Sequence, residues 1–454
     1  MANTAINREE RLGKEPMLKL FFKMAIPNLI AQFINLLYAI VDRIFIGHIP
    51  NVGVDALAGI GVTTSIIIFI TAFATIVGMG GSSLAAIELG KGEKDKAHKI
   101  LGNGFLILIF FTVALLTPCY IFMKPILLSV GASQATLPYA IDYLSIYLIG
   151  TLAVLITNGL NTFITIQGRP NIAMTAIIIG AVLNIILDYI FIFPCGLGIK
   201  GAALATIISQ IVSALFILWF LCGKSASLKL DRAFIKTDKK IILSTLALGV
   251  APFIMHSTEA LVGFVLNGTL KEYGDIHVSA ITIIQSALLL ASVPITGFAQ
   301  GLSPIVSYNY GAKNLSRVKE CFKISFCVIT TTNFITILLM ILIPSAIAST
   351  FTTDTQLIEL VSKMAPIFLT GMLLFGMQRT CQSMFVALGE AKISIFIAIL
   401  RKLILLIPLA LLLPLKFDVI GVYLAESISD ATAAIICLII FITYFPKILK
   451  RVQE

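Results

Sequence analysis

The chain carries twelve apolar stretches that are each long enough to cross a bilayer. They run roughly over residues 18–46, 59–88, 100–122, 138–167, 172–194, 200–221, 241–270, 278–309, 324–348, 358–388, 393–415 and 419–445. A helix needs about 20 residues to span the hydrocarbon core. Inside lipid only helices and closed barrels satisfy every backbone group. Unbroken apolar runs of this length predict helices, because barrel strands are short and alternate. Only 12% of residues are charged and mean hydropathy is +1.01, whereas soluble domains carry about 25% charged residues. The expected fold class is an all-α integral membrane protein. Residues 1–16 are polar, with no apolar core or small-residue cleavage site after them, so no signal peptide is expected.

The net charge of +10 is no sign of nucleic acid, because of where the charge lies. With the N-terminus inside, the inner segments hold 24 Lys and Arg residues and the outer connections five. This is the positive-inside pattern, and it places both termini in the cytoplasm. The seven cysteines form no C-x-x-C and sit mostly in apolar runs. The four histidines lack metal-ligand spacing, and no nucleophile triad or phosphate loop is present. Neither an enzyme nor a cofactor is expected.

The chain repeats itself. A shift of 221 residues puts Gly80 on Gly301, Gly90 on Gly311, Gly150 on Gly371 and Gly168 on Gly389. A shift of 220 puts Pro194 on Pro414, Gly201 on Gly421 and Ser209 on Ser429. The expected organisation is therefore two six-helix bundles, residues 1–222 and 241–454, joined by a charged cytoplasmic linker at 223–240. Six is even, so both bundles insert the same way up, and their pseudo-two-fold axis runs along the membrane normal. Two like-oriented bundles predict a secondary transporter that rocks about a central cleft.

A few polar residues interrupt the spans. Asn184 and Asp188 lie four apart on the fifth span and so face the same way, one turn apart. Asp42 ends the first span and Thr206 begins the sixth, which puts all of them near one level, about 6–9 Å inside the outer face for Asp42, Asp188 and Thr206. An ionised Asp inside a membrane helix costs roughly 2.5–3.5 kcal/mol on insertion scales, and a chain that keeps one generally uses it. Two carboxylates, an amide and a hydroxyl can build an all-oxygen Na⁺ site. Two carboxylates that meet can instead share a proton. Arg43, the next residue, points about 100° away from Asp42 and reads as an interfacial snorkel. The repeat counterparts of Asp188, Asn184 and Thr206 are Pro408, Ile404 and Glu426. The cluster does not recur, which favours function over architecture. The second half has its own intramembrane charges, Glu259, Arg379, Arg401, Lys402, Glu426 and Asp430, of which Glu259, Arg379 and Glu426 are candidate cavity charges. Pro27 cannot donate its backbone bond and can kink or hinge the first helix. Gly78, Gly80, Gly81, Gly297 and Gly301 permit close helix packing.

These features together resemble the multidrug and toxin extrusion (MATE) family, in its DinF-like and MepA-like bacterial branch. The resemblance covers the whole chain and includes the glycine-rich loop after the second span. Asp42, Asn184, Asp188 and Thr206 resemble the family's first-lobe site for Na⁺ or H⁺, and Pro27 its first-helix proline. Glu259 resembles the seventh-helix acid of other branches. The acid that partners it there on the tenth helix is missing, with Met377, Gln378 and Arg379 in its place. Also, Gly249-Val250-Ala251-Pro252 sets the proline one position late. The resemblance therefore points to the first lobe for the coupling ion. It implies a monomer in the bacterial inner membrane that exports amphipathic, often cationic small molecules by alternating access. A flippase for lipid-linked saccharides in the same superfamily is the alternative, kept open by Arg379, Arg401 and Lys402.

Overall fold

The computed structural model describes residues 10–50 and 52–453. The first nine residues of the polar N-terminal segment, and Asn51, lie outside them. Among the described residues there is no strand, and ten helices are long and apolar enough to span a membrane. Two bent helix pairs raise the number of spans to twelve. In chain order the spans are α1 Met17–Gly47, α2 Asp55–Gly90, α3 Lys94–Ile121, α4 Leu137–Ile149 with Thr151–Thr165, α5 Pro170–Ile192 and α6 Gly198–Cys222. The second half continues with α7 Lys239–Lys271, α8 Ile276–Gly311, α9 Leu315–Leu342, α10 Thr355–Leu369 with Gly371–Ala387, α11 Ala391–Leu412 and α12 Pro414–Arg451. The protein is thus an all-α, twelve-helix membrane protein, as the apolar stretches predict.

The two bent spans fall at repeat-related glycines. α4 turns by 58° beside Gly150, and α10 turns by 42° beside Gly371. A Cβ on Gly150 would meet the Ile207 side chain, and one on Gly371 would meet the Ser427 carbonyl. Both bends thus let the fourth helix of each half approach the sixth. At Gly371 the freed amide donates to Ser427 Oγ at 2.8 Å. α12 is broken near its start, where Asp418 takes φ 49°. Its straight part therefore begins at residue 419, where the apolar run begins.

The chain forms two compact units, and their limits cut through α1 and α7. One unit holds residues 10–14 and 30–253 of the described chain, and the other holds 15–29 and 254–453. Each crossing helix has a proline at its change of unit, Pro27 just before Leu29 and Pro252 beside Phe253. Glycines explain the exchange. In the first unit Gly80 lies so close to Gly249 of α7 that an added Cβ would sit 2.6 Å from the Gly249 nitrogen. In the second unit the repeat counterpart, Gly301, meets Ala25 of α1 in the same way, with Gly297 against Leu29 one turn on. A side chain at any of these positions would hold the helices apart.

Within the first unit, Ile46, Ala56, Ile60, Tyr143, Tyr147, Ile192, Ile199 and Ala202 pack as one core. It joins the C-terminal ends of α1 and α5 to the N-terminal ends of α2, α4 and α6, the level at which the sequence places its acidic cluster.

Candidate functional site

Four side chains from three helices converge in the first unit. α1 supplies Asp42, α5 supplies Asn184 and Asp188, and α6 supplies Thr206. Asp188 is fully buried and Asn184 nearly so. Their spacing of four puts both on one face of α5, and Asn184 Nδ2 donates to Thr206 Oγ1 across a long 3.5 Å. The Asp42 and Asp188 carboxyls lie within hydrogen-bonding reach of one another. All four residues singled out in the first half are therefore brought together. Arg43 is exposed and forms no ion pair with Asp42 among the described residues.

The cluster is rich in acceptors and poor in donors. Asp42 Oδ1, Asn184 Oδ1 and both Asp188 oxygens are buried and receive no hydrogen bond from the described residues. Leaving a buried acceptor unmet costs about 1–3 kcal/mol, and more when it is charged. Two ionised carboxylates cannot satisfy each other, because neither then has a proton to give. One added proton would bridge them. A hard monovalent cation would instead draw on the carboxylate, amide and hydroxyl oxygens together. The residues present thus fit either ion.

Tyrosines wall this cluster. Tyr38 stands one turn before Asp42 on α1 and faces both carboxyls. Tyr143 of α4 lies beside Thr206 and also faces the pair, and its ring stacks on Tyr147 at 6.2 Å. The Tyr38 spacing was visible in the sequence. The α4 tyrosines had no such signal, because only the packing of α4 turns them inward.

The second unit treats the equivalent place differently. Arg401 Nε on α11 donates to Asp430 Oδ1 on α12 at 2.6 Å, and Lys402 Nζ donates to Glu426 Oε1 at 2.8 Å. Arg401 also reaches Glu426 at 3.9 Å and lies over the Phe375 ring at 4.4 Å. By the repeat, Glu426 stands where Thr206 stands. Here the acids carry tethered cations, and the helix opens into a π turn over Leu400–Leu406 to present them. Glu259 and Arg379 line a cavity of about 150 Å³ beside these residues. Glu426 does not line it and sits behind Lys402. Among the described residues no ion pair joins Glu259 to Arg379.

A family model described as MatE matches the chain twice, over residues 27–190 and again over 252–412. The chain belongs to the MATE family. Both matched stretches begin at the repeat-related prolines, Pro27 and Pro252, so the MATE unit itself is the repeat. The Staphylococcus haemolyticus multidrug export protein MepA is 26% identical over 426 residues, covering 94% of this chain and 93% of that protein. The Staphylococcus aureus (strain MRSA252) MepA is also 26% identical, over 432 residues and 94% of each chain. In fold, the chain matches a MATE crystal structure in the bent conformation with a TM-score of 0.91 at 23% identity, over 98% of this chain and 99% of that one. A MATE structure in the straight conformation matches with a TM-score of 0.90, over 98% and 100%. The membership and the twelve-helix fold are thus those the sequence resemblance implied.

Proposed function

We propose that this MATE protein is a cation-coupled antiporter that exports amphipathic, often cationic small molecules from the cytoplasm by alternating access. The observation that carries the proposal is the convergence of Asp42, Asn184, Asp188 and Thr206, with four buried oxygens that receive no protein donor. Such a cluster is relieved by H⁺ or Na⁺, and relief is a binding free energy. The names of the MepA relatives support drugs as the cargo. The protein acts as a monomer in the inner membrane of a bacterium, with both termini cytoplasmic and no cofactor beyond the coupling ion.

In this mechanism the ion binds Asp42 and Asp188 from outside, and the change of charge at the end of α1 alters that helix. Pro27 supplies the hinge, since it leaves α1 without one backbone bond close to the residue where the helix changes unit. Asn28 Nδ2 donates to the Met24 carbonyl at 2.7 Å and steadies the same turn. Coupling requires that ion and drug prefer opposite states. Moving a population from 1:99 to 99:1 takes about a 10⁴-fold difference in affinity.

The test is ethidium efflux from proteoliposomes under a pH gradient or a Na⁺ gradient, imposed separately. One gradient is expected to drive efflux, and Asp42→Asn and Asp188→Asn each abolish it. Efflux that survives both changes sinks the first-unit site. A cell-envelope defect on deletion, without drug sensitivity, would favour the flippase instead.

A further inference from the structure

The cavity in the second unit is not part of the ion site, and it has a charge pattern of its own. His256 and Glu259 of α7, Gln378, Arg379 and Gln382 of α10, and Arg401 and Lys402 of α11 face it. Three of these side chains are Arg or Lys. Two of the three are already committed, Arg401 to Asp430 at 2.6 Å and Lys402 to Glu426 at 2.8 Å. Arg379 is the third, and it has no acidic partner within 4.0 Å among the described residues. Glu259 is likewise exposed to the cavity and unpaired within that distance. The site therefore offers one free cation and one free anion that are near each other but not bonded. Buried acceptors complete it, for Gln378 Oε1 and Gln382 Oε1 receive no hydrogen bond from the described residues. Gln382 is held from behind, its Nε2 donating to the Ser394 carbonyl at 2.9 Å, so its oxygen is fixed in place.

We infer that this cavity binds the head of a zwitterionic amphiphile, with the ligand's carboxylate on Arg379 and its amine on Glu259 and the glutamine oxygens. Arg suits this role because its planar fork meets a carboxylate with two parallel hydrogen bonds. A simple cation would leave Arg379 unmet. A simple anion would leave Glu259 and the two acceptors unmet. Size sets a further limit. A volume of about 150 Å³ falls below the roughly 300–1,000 Å³ of pockets that enclose a drug-sized ligand. That holds a carboxylate and an amine but not a whole drug-sized molecule, so the apolar remainder lies outside the cavity. The Phe375 ring, already stacked under Arg401, supplies an apolar wall. The inference rests on the export reading only in calling the ligand a cargo. The binding itself does not depend on coupling.

The experiment uses the full chain in lipid nanodiscs with two fluorescent probes, Nε-dansyl-lysine and its methyl ester. The ester keeps the amine and the dye and lacks only the carboxylate. The wild-type protein is expected to bind the free acid at least about tenfold more tightly, the low end for hydrogen bonds to a charged group. Arg379→Gln is expected to erase that preference while leaving the ester's affinity unchanged or improved. Should that variant not fold, Arg379→Lys keeps the charge without the fork and is expected to retain only part of the preference. Equal binding of the two probes by the wild type overturns the inference, as does a preference that survives Arg379→Gln. Failure to bind either probe while ethidium efflux proceeds also overturns it and leaves the export reading intact. Discrimination at Arg379 without any gradient-driven efflux would leave the site standing and remove the export reading.

Discussion

Asp188→Asn separates a working site from a structural one, because the two readings predict opposite signs for stability. Asp188 is fully buried, and neither of its oxygens receives a donor. Its neighbours Asp42 Oδ1 and Asn184 Oδ1 are equally unmet. Asparagine has the same shape, removes one negative charge and brings two N–H donors. At a pH where both carboxyls are ionised, one of these donors can point at Asp42, replacing a like-charge contact with a charge-assisted hydrogen bond of about 1.5–3 kcal/mol. On the proposed function, the wild-type protein forgoes that gain because the site is kept open for an ion. The variant is therefore expected to be more stable by about 1–3 kcal/mol, measured by thermal or denaturant unfolding of the purified protein in one detergent at one pH. Its gradient-driven efflux is expected to be lost. A loss of stability of similar size would refute the reasoning, because it would mean that Asp188 is held as a charge by its surroundings and serves the fold.

Lys402→Met is expected to destabilise the protein by about 3 kcal/mol, the lower end for breaking a buried pair, since Arg401 remains 3.9 Å from Glu426. Adding Glu426→Gln should recover most of the loss, and a double-mutant cycle that shows no coupling would remove the pair from the stability account. Gly80→Ala is expected to cost about 1–3 kcal/mol by overpacking, because the new Cβ would press on the Gly249 backbone; unchanged melting would show that the α2–α7 contact yields freely. Pro27→Ala is expected to leave the fold and ligand binding in place while slowing gradient-driven efflux, and full efflux in that variant would dismiss the hinge.

Apolar run length, a property of the linear chain, sufficed for the fold class and the twelve spans. The repeat was legible for the same reason, and it marked Gly150 and Gly371, where α4 and α10 bend. The acidic cluster was half legible. A charge inside an apolar helix is conspicuous, and a spacing of four places Asn184 and Asp188 on one face. Their meeting with Asp42 and Thr206 depends on how α1, α5 and α6 rotate against one another, which run length does not encode. The tyrosine wall from α4 and the pairing of Arg401 with Asp430 and Lys402 with Glu426 follow from the same packing. So does the exchange of the N-terminal halves of α1 and α7, which comes from glycines meeting backbone across helices far apart in the chain. Lipid solvates apolar side chains all round a helix, so the sequence by itself determined which segments cross the membrane but scarcely which face turns inward. Only the tertiary structure decided that, because close packing and buried hydrogen bonds select one rotation for each helix.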